Sequence, residues 1–360
     1  MSVRDVNLLN ILLMGIAAAI AWERPFELFF FAYGVLGPLH YLTEISWLKE
    51  RSWFATSRRD WVLPSAASVV LTALYAFKEA PALTDQSLTR WFGVAADGGP
   101  RIDGTIADLL LAAVVGASLA AAFGRGGRAR AAFGLVGAAL VMGGVQAGWG
   151  KFLFSIFLST LVHVFFFTWC FMLYGALKTR SVSGYVACAA HLGFGALLLW
   201  APDDGTSVGV AQQALDQLGS FQVVVNATSA ALGRPNPSQG GPPSPAWREP
   251  FVDGLRFMAY AYTYHYLNWF SKTGIIRWHE ASRRRLAFIG AVWAASLALY
   301  AYDWKSAFVA LLALSLAHVY LEFPLNWRTF VGIGAELRAR VAGGPRAAAV
   351  AADQEPAATR

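Results

Sequence analysis

YAYTYHYLNWFSKTGIIRWHE, residues 260–280, opens as an apolar helix and leaves the apolar zone at Lys272. His265 and Asn268 stand three residues apart and so share a helix face, with Tyr262 and Tyr266 beside it. An imidazole inside a bilayer costs free energy unless it meets a partner, a metal or a water-filled cavity. That face is too polar for lipid. It calls for other histidines, and the chain supplies them.

The 360 residues are 56% hydrophobic and 14% charged, with a mean hydropathy of +0.46. Soluble domains carry about 25% charged residues. The composition therefore indicates an all-α, polytopic membrane protein. The net charge of +7 does not point to nucleic acid, because Lys and Arg fall in short clusters between apolar runs, where membrane insertion reads them. Cys170 and Cys188 lie in expected spans and read as small packing residues. The first apolar run follows only Arg4 and has no clear cleavage site, so it reads as a retained span.

A spanning helix needs about 20 mostly apolar residues. Ten stretches qualify: 6–22, 26–48, 61–79, 104–124, 131–149, 152–177, 184–201, 251–271, 286–302 and 306–326. Basic clusters at 49–59, 125–130, 178–180, 272–285 and 328–346 then fall on one side with both termini, which the positive-inside rule makes cytoplasmic, as in a bacterial inner membrane. Residues 1–330 are expected to form one transmembrane domain, with an external connection at 202–250 that is linker-like in its second part. Residues 331–360 are expected to be a largely disordered cytoplasmic tail. Helices four and five are rich in Gly and Ala, a signal for close packing in lipid.

Five histidines fall inside the expected spans: His40, His163, His191, His265 and His318. At about 1.5 Å per residue, His40, His191, His265 and His318 lie roughly 9–12 Å from the cytoplasmic ends of their helices, and His163 roughly 21 Å from its own. Glu44 follows His40 by four residues and Glu322 follows His318 by four, so each helix offers an imidazole and a carboxylate to one side. Histidines and carboxylates on facing helices are what an iron, manganese or zinc site in a bundle requires. Each Glu would ligate directly or orient an imidazole. The candidate ligands are these five histidines, and the candidate catalytic residues are Glu44, Glu322, Tyr266 and Asn268. His279, in the basic loop after Trp278, reads as an exposed interfacial residue.

HYLTEISWL (40–48) and YHYLNWFSKTGIIRWHE (264–280) are similar to segments of little-characterised bacterial multi-pass proteins, some labelled β-carotene cleavage enzymes. By function the resemblance extends to the Brp/Blh family of membrane-embedded, iron-dependent carotenoid dioxygenases, whose iron is held by histidines from several helices. The resemblance implies His40, His163, His265 and His318 as iron ligands. The chain lacks that family's histidine/aspartate motifs, and ten spans exceed its number.

The expectation is a metal-dependent membrane oxidoreductase acting on an apolar lipid or isoprenoid, with membrane lipids as surroundings and self-association left open. Two other classes compete. A proton-coupled transporter would use the His/Glu cluster as a relay, with helix two broken at Gly37-Pro38. A haem- or quinone-binding redox protein would use two histidines as axial ligands.

Overall fold

The structure, a computed structural model, describes residues 2–51, 62–73, 104–124, 126–147, 162–200 and 245–341. The described residues are helical, with no strand among them. In chain order the helices are α1 (Val3–Glu23), α2 (Pro25–Phe31), α3 (Gly37–Arg51), α4 (Val62–Ala73), α5 (Gly104–Phe123), α6 (Gly127–Gln146), α7 (Thr168–Thr179), α8 (Val182–Trp200), α9 (Pro245–Ser271), α10 (Thr273–Ile276), α11 (Arg283–Tyr302) and α12 (Trp304–Val341). A π-helical turn, Ala32–Leu36, joins α2 to α3, and a second, at 162–167, leads into α7.

Among the described residues, seven helices are long and apolar enough to cross a membrane: Val3–Glu23, Pro25–Lys49, Gly127–Gln146, Val162–Thr179, Val182–Trp200, Arg283–Tyr302 and Ser306–Val341. Three of the ten expected spans are not among them. The third and fourth correspond to shorter apolar helices, Val62–Ala73 and Asp108–Phe123. The eighth falls on α9, whose apolar run is interrupted by Asp253, Arg256, His265 and Asn268. The last helix runs past its expected end at 326 to Val341, so part of the expected tail is helical. The external connection up to residue 244, and the tail beyond 341, lie outside the described residues.

The chain divides into two compact units. The first comprises Met1–His40, Ile156–Arg277 and Thr329–Arg360. Its centre is α9, in which residues 252–266 are all buried, packed by α1, α2 and α8. A helix enclosed by other helices can carry polar groups, provided each finds a partner. Arg256 lays its guanidinium on the Trp22 ring at 4.0 Å, donates from Nε to the Trp22 carbonyl (3.1 Å) and pairs with Asp253 at 3.6 Å. The carbonyl at the end of α1, left over by helix geometry, is thus satisfied from α9. Nearer the other end, Tyr264 and Ser271 both donate to Asn10 Oδ1, at 3.0 and 3.2 Å. Arg340 reaches back to donate to the Leu177 carbonyl (2.8 Å), which fixes the end of α12 on α7.

The second unit comprises Tyr41–Ser155 and Trp278–Arg328. Its tightest feature is the α5–α6 hairpin. A Cβ on Gly137 would lie 2.7 Å from the Gly116 Cα, so the two backbones touch where only hydrogen atoms fit between them. Trp327 donates from Nε1 to Ser118 Oγ (2.9 Å), and Arg328 from Nε to the Ala122 carbonyl (3.2 Å), tying α12 to α5. The part of α3 from Tyr41 onward packs Leu48, Ile45 and Trp47 against Leu321 and Leu325 of α12.

Two substitutions test these contacts. Arg256→Met strands the Asp253 carboxylate in a buried site and is expected to cost about 3–5 kcal/mol, with Asp253→Asn added to it recovering most of the loss. Gly137→Val forces the α5–α6 hairpin apart and is expected to cost about 1–3 kcal/mol. Thermal unfolding of the detergent-solubilised protein reads both.

Candidate metal centre

His265 sits on the buried stretch of α9, and its surroundings define its protonation. Thr168 Oγ1 donates to the Val164 carbonyl at 2.9 Å, which uses its single proton. The same oxygen lies 2.7 Å from His265 Nδ1; with its proton on the carbonyl it accepts there, and Nδ1 carries the hydrogen. The Nε2 lone pair is then directed away from Thr168. It faces His40 Nε2 at 3.0 Å. Two ring nitrogens this close need either a shared proton or a shared cation between them. His163 closes the group, its ring centroid 4.8 Å from that of His265.

One ring nitrogen from each of His40, His163 and His265, all in the first unit, lies within 4.8 Å of the others, and all three residues are buried. His318 lies in the second unit, buried, with its ring stacked on that of Tyr41 at a centroid distance of 4.3 Å. A divalent ion held by nitrogens at about 2.1 Å spaces adjacent ligands by about 3.0–3.4 Å and opposite ones by about 4.2 Å. The 3.0 Å His40–His265 separation already has the adjacent value. The set therefore fits a metal ion with small side-chain adjustments. Neutral imidazoles suit iron, zinc, copper or nickel, and the donors alone do not choose among them.

Backbone geometry brings the ligands together. His163 lies within the π-helical turn 162–167, and His40 follows the other π turn by one helical turn. Pro38 has no N–H, so the Gly34 carbonyl loses its usual α-helical donor. The wider π turn absorbs that loss, with the Gly37 N–H donating to the Ala32 carbonyl. Helix two is therefore not broken at Gly37-Pro38. It runs from Pro25 to Lys49 as one apolar element. π turns of this kind recur at functional sites, and hydropathy carries no sign of them.

The fifth intramembrane histidine is placed apart from this set. His191 is fully buried, but its Nε2 lies 3.2 Å from the Phe165 carbonyl, to which it must donate. Nδ1 is left as an acceptor and takes the Tyr260 hydroxyl at 3.0 Å. Its ring also stacks on Phe165 at 4.3 Å. Both nitrogens are engaged in helix packing. The expected depth layer had grouped His191 with the others and set His163 deeper. That counting assumes helix ends in one plane, whereas His163 lies 16 residues before the end of α7 and His265 six before the end of α9.

The expected catalytic residues fall in three places. Tyr266 is buried against His40, with ring centroids 5.0 Å apart, and so forms part of the cluster wall. Trp269 and Phe270 face the same imidazole at 5.4 and 6.4 Å. Asn268 is buried, and its Oδ1 has no hydrogen-bond partner among the described residues. Glu44 and Glu322 are buried and hydrogen-bonded to each other, and neither is grouped with the histidines. His279 is exposed, as expected. Sequence reasoning missed Thr168. Its only signal was its position five residues after His163, too weak to single it out.

These features define a helical protein with apolar helices long enough to cross a membrane and with three buried histidines, His40, His163 and His265, that can hold a metal ion. No protein-family model, curated protein or solved structure matches the chain.

Thr168 sets the hydrogen position on His265, as outer partners of metal-bound histidines generally do. Thr168→Val is expected to weaken metal binding about 10–100-fold without unfolding the protein, and Thr168→Ser to restore it. Competition against a calibrated chelator measures the change.

Proposed function

We propose that the protein is a metal-dependent membrane enzyme, in the bacterial inner membrane, that uses iron and oxygen to modify an apolar lipid or isoprenoid. The observation that carries this reading is the group of His40, His163 and His265, with the His40 and His265 ring nitrogens 3.0 Å apart. Neutral imidazoles would hold the iron and leave an open position for oxygen or substrate. When bound, the iron would supply oxygen activation.

The chain's own residues would do the rest. Thr168 holds His265 in one tautomer and one orientation. Tyr266, Trp269 and Phe270 wall the His40 side with aromatic rings, which exclude water and match an apolar chain. The resemblance of residues 40–48 and 264–280 to bacterial proteins labelled as β-carotene cleavage enzymes makes a carotenoid the first substrate to try. A carrier with a broken helix two would be the competing reading. The unbroken helix from Pro25 to Lys49 favours the enzyme.

Elemental analysis of detergent-purified protein tests the centre. Wild type is expected to hold near-stoichiometric iron, and His163→Ala and His265→Ala to lose it. His191→Ala is expected to keep the iron while losing about 1–3 kcal/mol of stability, because the Tyr260 hydroxyl is left without its acceptor. Iron that persists in both ligand variants would refute the assignment. Consumption of a bound carotenoid under oxygen, by wild type only, tests the reaction.

A further inference from the structure

We propose that Glu44, Glu322 and Asn326 form a second cation site, for a hard divalent ion bound through oxygen. The three residues belong to one compact unit, and the site stands independently of the histidine reading. Glu44 and Glu322 are 2% and 3% exposed and hydrogen-bonded to each other. Two carboxyl groups can share a hydrogen bond only when one of them carries a proton. Their surroundings are apolar, since Leu48 and Ile45 of α3 pack against Leu321 and Leu325 of α12 beside them.

Acidic residues in proximity do not make a site. The further observation is Asn326. It is 3% exposed, and neither its amide nitrogen nor its amide oxygen has a hydrogen-bond partner among the described residues. Buried amides are nearly always satisfied, so a doubly orphaned one needs an explanation. Asn326 follows Glu322 by four residues, on the same face of α12. Helical side chains lean toward the N-terminus, which carries the Asn326 amide back over the turn that holds Glu322. The amide thus shares the helix face of Glu322, one turn along, where a cation held by the carboxyl pair would find its oxygen.

Two carboxylates and an amide carbonyl are the donor set of Mg2+, Mn2+ or Ca2+. Binding would exchange the shared proton for the cation, so that one proton leaves and two carboxylates balance a divalent charge. The position is one helical turn, about 6 Å, along α12 from His318.

The test uses Mn2+ as the probe, counted by electron paramagnetic resonance, on full-length protein carrying His163→Ala and His265→Ala. In this background the histidine centre is disabled, so its failure and the failure of the second site are read separately. The expected result is one Mn2+ per chain with release of one proton. Adding Glu44→Gln with Glu322→Gln is expected to abolish binding, and adding Asn326→Leu to weaken it about tenfold or more. The Gln pair placed in the otherwise wild-type chain should keep its iron, which shows that the chain has folded. No Mn2+ bound in the background, or binding unchanged by the Gln pair, overturns the proposal.

Discussion

An imidazole enclosed in a helix bundle is costly unless its ring nitrogens find partners. Much of the described site follows from how that constraint is met at each histidine. At His191 the answer is two protein partners, the Phe165 carbonyl and the Tyr260 hydroxyl, and nothing is left over for a ligand. At His265 one nitrogen is held by Thr168 and the other meets a second imidazole. The difference between a packing histidine and a ligating one is therefore written in the partners. Depth in the bilayer does not decide it.

The central helix shows how the same constraint shapes the fold. α9 carries an ion pair, four tyrosines, a histidine and an asparagine within one buried stretch. Such a segment would be costly against lipid, yet several of its polar groups are answered from a neighbouring helix. Arg256 meets the end of α1, and Tyr264 meets Asn10. Polar contacts of this kind fix helix register more sharply than apolar packing does, since a shift of one residue would leave several groups unmet.

The sequence made the helical membrane class legible, because long apolar runs with few charges have few other uses. It also singled out His40, His163, His265 and His318, since each is expensive where it stands. It could not separate His191 from them, because the expense of burial is visible in a sequence and the partner that offsets it is not. It read Glu44 and Glu322 as companions of the histidines on their own helices. The folded chain pairs them with each other instead, a tertiary fact with no local signature. Thr168 and the two π turns were beyond reach for a similar reason. A hydroxyl in an apolar run is common, and helix widening leaves the hydropathy unchanged.

Those π turns also change the rotational phase of the helices that contain them. A π turn is an α-helix with one residue too many, and one residue amounts to about 100° of rotation about the helix axis. The turn at Ala32–Leu36 lets the first half of its helix, with Phe29 and Tyr33, keep its packing phase while the half beginning at Gly37 adopts another. The histidine that follows is thus presented at a different angle about the axis from the side chains that pack the first half.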